Sequence, residues 1–452
     1  MPKTHYGLGS HSKKLLCSTA CYLGCAGFLW GVFGPSNAYG DTRSVLDNGP
    51  HIVVPVVKNG VNMYSFDDSS IDEPLDVEKE ESGSGIPENS AQAAKRVLRV
   101  GPDRKLKYPS EASKVAVDGD VIEIATGVSN NDYAVWRQNN LTIRGVGDGP
   151  AHLKSGGLIR NGKGIWITRG NRIRLENVEF SGAAVRDSNG AGIRHEGGHL
   201  KLHNTFFHHN EFSVLTGKNL QAEVEITSSR FWFQKRPIRY SHGIYIGRIG
   251  RFTLIGSHIK GTDQGHQVKT RARENLIAYN RIEDTPDGNS SRLIDLSNCG
   301  FSVILGNDLH QAYTATNYNA IGYGPEGCND LTGKQMKLFV INNTFINENP
   351  RGTFVKNFAG GEVLVGNNLL FGRGSVLSGG GIETNNFRQD LADRRPGTWQ
   401  PVKGSPAVDN ALDLPKVEGV SLVPTHEFKP PVGISDRPDH EKLDAGSREI
   451  KP

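Results

Sequence analysis

Three segments of the chain carry side chains that can move protons or neutralise an anion. They hold His242 with Tyr245, His266 with Lys269, and Arg292, so that the two histidines and Arg292 are 24 and 26 residues apart. A Lys or His side chain whose pKa is lowered can accept a proton, and a Tyr or His side chain can donate one. Arg neutralises carboxylates through a planar, permanently charged fork. These residue types together suit proton transfer beside an anionic group.

Removal of the proton at carbon 5 of a uronic acid needs this mixture. The neighbouring carboxylate must be neutralised, a base must take the proton, and an acid must protonate the leaving oxygen or the opposite face of the sugar. Loss of the leaving group makes the reaction that of a lyase, and return of the proton makes it that of an epimerase. We predict Lys269 or His266 as the base, Tyr245 or His242 as the acid, and Arg271 with Arg292 as the carboxylate clamp.

The candidate site residues fall into two groups by predicted role. The catalytic candidates are Lys269, Arg292, His242, His266 and Tyr245, and the substrate-binding candidates are Arg271, Arg273, Arg194, Asp295, Lys356 and Arg248.

A short pattern that recurs nine times must position these groups: an apolar residue, four mixed residues, then Phe, Ile or Leu. The copies begin at Leu175, Leu202, Ile226, Leu254, Ile277, Ile304, Val340, Val365 and Ile382, and close at Phe180, Phe207, Phe231, Ile259, Ile282, Leu309, Phe345, Leu370 and Phe387. Most starts are 23 to 28 residues apart. Strand-like alternation at such a spacing predicts a solenoid of stacked coils.

One position, two residues before the closing residue, has a polar side chain in all copies but the first. Across the nine copies it is Val178, Thr205, Ser229, Ser257, Asn280, Asn307, Asn343, Asn368 and Asn385. Asn tolerates a left-handed turn, and its amide can hydrogen-bond to identical neighbours above and below. The pattern therefore predicts a stacked turn ladder.

Each coil also carries a second apolar strand, whose middle residue alternation places outside. Tyr245, Lys269 and Asp295 should then stack on three consecutive coils, with His242, His266 and Arg292 beside them. Two other interpretations remain open. The column could be an ordinary solvated face whose charges pair because coils repeat, and the two histidines could be core or turn residues.

Composition and charge narrow the class of protein. With 55 Gly and 36% apolar residues among 452, the chain fits many tight turns around a narrow core and not a helical bundle. Residues 98–452 contain 44 basic and 37 acidic residues, which favours an anionic partner, whereas residues 39–97 contain 11 acidic and 5 basic residues and are expected to be a disordered leader. Cys299 and Cys328 are about one coil apart, so a bridge or two buried thiols are both compatible with the spacing.

The N-terminus has the order of a secretory signal peptide. Lys3, Lys13 and Lys14 precede an apolar stretch over 15–34, and Ser36-Asn37-Ala38 supplies a cleavage site. An uncleaved anchor is the alternative. We expect a signal peptide over 1–38, the leader over 39–97, the solenoid over 98–390 and a Pro-rich tail over 391–452 that packs on the solenoid or caps it.

The coil pattern, the Asn ladder, a short helical pattern within 98–120 before a first strand at Val121-Ile122-Glu123-Ile124, and the Gly404-Ser405-Pro406-Ala407-Val408-Asp409 segment resemble right-handed parallel β-helix proteins of the pectate-lyase-like superfamily. The resemblance covers about residues 98–415. It implies an all-β, right-handed parallel β-helix with an N-terminal capping helix, on a scaffold that hosts lyases, hydrolases, epimerases and adhesins. Lys269 and Arg292 are similar in placement to the catalytic Lys and Arg of some β-helix alginate and chondroitin lyases.

Two further sequence features bear on hydrolase chemistry and on metal binding. Ser241-His242-Gly243 followed by Val268-Lys269-Thr270 resembles motifs of polygalacturonases, but those hydrolases need aspartates on the preceding coil, and residues 212–217 contain no carboxylate. A calcium site would need clustered carboxylates, for which Glu223, Glu225 and Asp263 are the remaining candidates. We therefore predict no metal site and no cofactor, with Ca²⁺ as the minor alternative.

The sequence thus predicts an exported or periplasmic protein that acts on an acidic polysaccharide, most simply as a lyase. The alternatives are a uronan epimerase and a noncatalytic polysaccharide-binding or assembly protein. No nucleic acid partner and no stable membrane span after signal removal are expected, and the oligomeric state stays open.

Overall fold

The computed structural model describes residues 95–235, 241–414, 416–439 and 442–450. The expected signal peptide and almost all of the expected leader lie outside these residues. The described residues belong to one compact unit, 48–452. No helix among them has the length and apolar character needed to cross a membrane.

Short parallel strands dominate the chain. In chain order they are β1 (Val97–Val100), β2 (Val121–Asn130), β3 (Ala134–Trp136), β4 (Thr142–Lys154), β5 (Gly164–Thr168), β6 (Ile173–Glu176), β7 (Val178–Ser181), β8 (Ala191–His195), β9 (Leu200–His203), β10 (Phe206–His208), β11 (Phe212–Thr216), β12 (Asn219–Thr227), β13 (Arg230–Trp232), β14 (His242–Ile246), β15 (Ile249–Ile255), β16 (His258–Lys260), β17 (Val268–Thr270), β18 (Glu274–Ala278), β19 (Arg281–Glu283), β20 (Ile294–Leu296), β21 (Phe301–Leu305), β22 (Asp308–Gln311), β23 (Asn319–Tyr323), β24 (Lys337–Ile341), β25 (Thr344–Asn347), β26 (Thr353–Asn357), β27 (Glu362–Gly366), β28 (Leu369–Gly372), β29 (Ser375–Ser378), β30 (Ile382–Thr384), β31 (Phe387–Gln389), β32 (His426–Phe428) and β33 (Ile434–Asp436). Helix α1 spans Pro109–Val115, and 3₁₀ turns span Gly333–Gln335 and Leu391–Asp393.

Each regular coil contributes one strand to each of three faces. Face A contains β6, β9, β12, β15, β18, β21, β24, β27 and β30; face B contains β7, β10, β13, β16, β19, β22, β25, β28 and β31; face C contains β3, β5, β8, β11, β14, β17, β20, β23, β26 and β29. The long strands β2 and β4 run through faces A and B, because the start of β4 pairs with β6 and its end with β7. Only the hairpin β32–β33 is antiparallel among the named strands of the described residues. The predicted parallel β-helix is confirmed.

The core forms because alternate residues of the strands in the regular coils point inward and stack on their equivalents in the next coil. On face B, Phe180, Phe207 and Phe231 stack with ring centroids 5.1 Å apart at each step. On face C, Val214, Ile244 and Val268 are fully buried in one column. Such columns repeat the same packing on each coil, so one coil's side chains fill the space above the last.

The recurring pattern corresponds to faces A and B, and eight of its nine copies are in the predicted register. The ninth is wrong by one residue, because Ile382 pairs with Leu364 and Phe387 with Leu369. Ile382 is 63% exposed, and Phe387 packs outward in the cluster that contains Trp399. The last coil has no following coil to bury its inner face, so contact with the tail decides its register.

The predicted ladder lies at the corner between faces A and B. Side-chain amides link Asn280, Asn307, Asn343, Asn368 and Asn386 in one continuous chain, with Nδ2 to Oδ1 distances of 2.8–3.1 Å. The turn conformation belongs to the residue before each of them, as Tyr279, Asn342 and Asn367 have φ between 50° and 55°. The prediction that one Asn supplies both the turn and the ladder is therefore wrong, and Asn386 replaces Asn385 in the last coil.

The N-terminal end of the stack is covered by a short cap. Helix α1 lies within the predicted stretch and packs against β1 and β3. The prediction that Val121 begins the first strand is wrong, since β1 precedes it and pairs with β2 in parallel.

The described part of residues 391–452 runs along the outer wall of the solenoid. Val420 and Leu422 are buried against Leu276 and Phe301 of face A. On face B, Arg448 Nη2 contacts Asp308 Oδ2 at 2.6 Å. Tail and wall thus share both an apolar cluster and a buried ion pair.

Cys299 and Cys328, whose pairing the spacing left open, form a disulfide with Cα atoms 5.5 Å apart. Cys299 follows β20 and Cys328 follows β23, so the bridge joins the loops that follow strands of adjacent coils.

Candidate functional site

The predicted column exists on face C. Tyr245 pairs with Lys269 and Lys269 with Asp295, on the consecutive strands β14, β17 and β20. The same column continues to Leu215 and Arg194 on one side and to Gly322 and Lys356 on the other, a list that includes two predicted substrate-binding residues. Because parallel strands are about 4.8 Å apart, neighbouring side chains in the column are in contact range.

A second column runs beside the first. The rings of His242 and His266 stack with centroids 5.1 Å apart and an interplanar angle of 11°. The backbone N–H of His266 donates to His242 Nδ1 at 2.9 Å, and that of Arg292 donates to His266 Nδ1 at 3.1 Å. Since both Nδ1 atoms accept hydrogen bonds, each neutral ring carries its proton on Nε2.

The side chains of the two columns, together with Arg271, form one cluster, and Asp295 is its buried centre. Its side chain is 1% exposed, and Oδ2 is 3.0 Å from His266 Nε2 and 3.5 Å from Lys269 Nζ, while Oδ1 is 3.6 Å from Arg292 Nη1. Burial by itself would raise the pKa of Asp295, but the hydrogen bond from His266 and the charges of Lys269 and Arg292 outweigh it and hold that pKa far below its ordinary value. Burial also lowers the pKa of His266, against the opposing effect of Asp295.

A glutamate that sequence reasoning missed covers the outer side of the column. Glu326 Oε1 is 2.6 Å from Lys269 Nζ, and Glu326 Oε2 is 2.5 Å from Arg271 Nη2. The Lys269 side chain is 9% exposed and that of Glu326 is 41% exposed, so Glu326 lies between the cations and solvent. Despite the effect of burial, the hydrogen bonds from Lys269 and Arg271 lower the pKa of Glu326.

The loop that carries Glu326 is fastened to the same region. Cys328 is bonded to Cys299, and Asn298 Nδ2 donates to the carbonyl of Gly327 at 2.8 Å. The cysteine pairing was the signal that could have revealed Glu326, because the bridge joins this loop to the end of β20, the strand that pairs with β17.

Tyr245 and Arg271 form the edge of the cluster nearest β14. Arg271 Nε donates to the Tyr245 hydroxyl oxygen at 2.9 Å, and Arg271 Nη1 donates to Asn298 Oδ1 at 2.5 Å. Burial lowers the pKa of Arg271, but the bonds to Tyr245 and Glu326 outweigh it and the pKa is raised. Arg271 is therefore a fixed cation with a carboxylate on one side and a phenol on the other.

Arg292 approaches the next coil at Gly322. A Cβ atom on Gly322 would be 2.8 Å from Arg292 Nε, so the absence of a side chain there makes room for the guanidinium. Arg292 also faces the ring of Phe358 at 5.3 Å, and burial lowers its pKa. The two arginines of the predicted clamp contact different carboxylates, Arg271 that of Glu326 and Arg292 that of Asp295, and the carboxylate held jointly is shared by Arg271 and Lys269.

The other predicted binding residues are spread more widely. Arg194 Nε is 3.9 Å from Glu196, Arg248 pairs with Asp330, and Lys356 Nζ is 4.7 Å from the Phe358 ring centroid. Arg273 lies at the turn into β18 on face A, outside the column.

The carboxylates considered for calcium are not brought together. Glu223 and Glu225 lie on β12 of face A, where Glu225 pairs with Lys201, whereas Asp263 lies between β16 and β17. A cavity of about 640 Å³ lies beside α1 and β3, lined by residues that include Asp132 and Tyr133, and its lining includes none of the cluster residues.

The chain has the right-handed parallel β-helix fold: it is similar to pectate lyase Pel9A, with a TM-score of 0.53 and 12% identity over 79% of this chain and 97% of that one. The product of ORF18 of Geobacillus virus E2 gives a TM-score of 0.37 at 15% identity, over 61% of this chain and 55% of that one. The tailspike gp49 of Acinetobacter baumannii bacteriophage Fri1, a capsular polysaccharide depolymerase, gives 0.36 at 11% identity, over 65% and 55%. No protein-family model and no curated protein matches the sequence.

Proposed function

We propose that this chain is an exported carbohydrate-active protein that binds a uronate-containing polysaccharide on face C and cleaves it by β-elimination. The observation that carries the proposal is that Lys269 and Arg271 together hold a carboxylate, that of Glu326, beside the Tyr245 hydroxyl. The same scaffold carries the pectate lyase Pel9A, so this activity is compatible with the fold.

Substrate binding would exchange one carboxylate for another. When a uronate enters, its carboxylate takes the place of Glu326 at Arg271, and the exposed Glu326 side chain turns to solvent. Arg271 then neutralises the uronate carboxylate, which is the condition for removing the proton at carbon 5. Arg292, on the other side of Lys269, adds positive charge without leaving Asp295.

The hydrogen bonds of the two histidines and Tyr245 support a division of the proton-transfer roles. His266 accepts a backbone hydrogen bond at Nδ1 and faces Asp295 through Nε2, so in this proposal it orients Asp295 and leaves the role of base to Lys269. In this proposal the Lys269 ammonium gives its proton to the departing Glu326 carboxylate or to water, and the neutral amine, which then faces the substrate, takes the proton from carbon 5. Tyr245 accepts a hydrogen bond from Arg271, which leaves its own proton for the leaving glycosidic oxygen.

Export is part of the proposal and rests on the N-terminal sequence. The Cys299–Cys328 disulfide supports it, since such bridges persist in oxidising compartments outside the cytoplasm.

The test is to incubate the purified protein with a panel of uronate polymers and to follow the ultraviolet absorbance of the unsaturated product. Lys269→Ala should abolish product formation, and Tyr245→Phe should lower kcat by about 10²–10⁴-fold, the usual contribution of a general acid. Lys201→Ala is the matched control, because Lys201 pairs with Glu225 at 2.9 Å on face A. It should retain full activity.

Other results of the same assays would identify the alternative functions. Uptake of solvent hydrogen isotope at carbon 5 without chain cleavage would identify an epimerase. If the protein binds the polymer without forming product, and Lys269→Ala does not change that binding, the protein is a binding or assembly protein. This result would reject the catalytic role of the column.

A further inference from the structure

Face B carries a second cluster of donor groups that the proposed function does not use. His152 of β4, Glu179 of β7 and His208 of β10 come from three consecutive coils, 27 and 29 residues apart in the sequence. His152 pairs directly with Glu179 in the strand register, and His208 is two positions along the next strand. Their side chains are 17–20% exposed, so the cluster is half-buried and reachable from solvent.

The donor atoms converge on one point. Both Nε2 atoms face the same carboxylate oxygen of Glu179, His208 at 2.8 Å and His152 at 3.3 Å, and all three donor atoms lie within 4.8 Å of one another. Zinc binds His nitrogen and carboxylate oxygen at about 2.0–2.2 Å, which places the ligand atoms of a tetrahedral site about 3.3 Å apart. The cluster therefore needs only small side-chain rotations to enclose an ion.

A neighbouring histidine orients one of the ligands. His208 Nδ1 is 2.7 Å from His209 Nδ1, so one proton must lie between the two rings. Without metal, His208 donates from Nε2 to Glu179; when an ion binds, His208 would instead carry its proton on Nδ1 and donate it to His209, so that Nε2 presents its lone pair to the ion.

We propose that His152, Glu179 and His208 bind one divalent transition-metal ion of the zinc class. Two imidazoles and one carboxylate suit zinc and neighbouring transition metals better than calcium or magnesium, which prefer oxygen ligands. The fourth position faces solvent or Ser181, whose Oγ is 2.7 Å from His152 Nε2. The ion would join three coils on a different face from the Lys269 column.

The test uses the tag-free chain, freed of metal with a chelator and titrated with ZnCl₂ by calorimetry. We expect one zinc ion per chain and a rise in melting temperature, and substitution of Co²⁺ should give the visible absorption bands of a low-coordinate site. His152→Ala and His208→Ala should lose the binding, and His209→Ala should weaken it about 10–100-fold, as loss of an orienting partner does.

The matched control is His258→Ala. His258 Nε2 is 2.7 Å from Glu283 Oε1 on the same face, so this substitution removes an imidazole from a His–Glu pair outside the cluster. The His258→Ala variant should bind zinc like the unmodified chain. Melting curves without metal check that each variant is folded. Absence of stoichiometric zinc binding, or binding that a folded His152→Ala/His208→Ala double variant retains, would overturn the proposal, and neither result depends on lyase activity.

Discussion

Replacement of Asp295 by Asn is expected to be one of the most destabilising single changes on face C. The Asp295 side chain is 1% exposed and faces two cations that are themselves buried, Lys269 at 9% and Arg292 at 11% exposure. Removing one partner of a buried ion pair leaves the other charge without compensation, which costs about 3–5 kcal/mol of unfolding free energy. Lys269 keeps Glu326 as a second partner, so we expect a loss of ~3 kcal/mol, at the lower end of that range.

The assay is equilibrium unfolding in urea, followed by circular dichroism and by tryptophan fluorescence. Coincidence of the two signals tests whether the solenoid unfolds in one step, which a single free energy requires. Asp330→Asn is the control, because it removes the carboxylate of an exposed ion pair, that of Asp330 with Arg248, and should cost about 1 kcal/mol or less. If Asp295→Asn costs no more than this control, the central role given to Asp295 is refuted.

The contribution of Asp295 to the free energy of unfolding should depend on pH. The pKa of Asp295 in the folded protein lies far below the value of about 3.9 expected in the unfolded chain. A group with a depressed folded pKa contributes stability that is complete above the unfolded value and is lost as pH falls towards the folded one. The difference in unfolding free energy between the unmodified chain and Asp295→Asn should therefore be constant near neutral pH and shrink below about pH 4. A difference that grows on acidification would contradict the assignment.

Two further predictions concern the covering loop and the ladder. Glu326→Gln should raise the affinity for an acidic oligosaccharide by about tenfold, because a glutamate that covers the cations in about nine of ten molecules lowers the apparent affinity by that factor. The same change at the exposed neighbour, Asp330→Asn, should leave the affinity unchanged. Equal or weaker binding of Glu326→Gln in calorimetry would contradict a competing role for Glu326. Asn307→Ala should cost about 1–3 kcal/mol of stability, because it removes fully buried hydrogen bonds to Ile277 and Asn343 on the adjacent coils, while the exposed Asn329→Ala should stay within about 0.5 kcal/mol in the same unfolding assay.

Elements that repeat once per coil could be predicted from the sequence. The period-2 alternation of the second strand put Tyr245, Lys269 and Asp295 on one outer wall, because the face of a strand residue depends only on its parity. The asparagines of the ladder were visible for the same reason. The register of Ile382 was not, since the last coil is held by the tail and not by another coil.

Contacts made by loops could not be predicted in this way. Glu326 belongs to an irregular segment that the Cys299–Cys328 bridge joins to the loop after β20, and spacing alone left that bridge undecided. Its contact with Lys269 therefore comes from a loop and not from a repeated strand position.

Alternation and repeat length by themselves determined that this chain winds into a parallel β-helix and which strand residues point outward, because both are local properties of an extended backbone. The tertiary structure alone decided which residues of different coils and loops touch: Glu326 with Lys269 and Arg271, and His152 and His208 with Glu179. Those contacts depend on the direction of each side chain and on the path of the loops between coils, and the repeat pattern specifies neither.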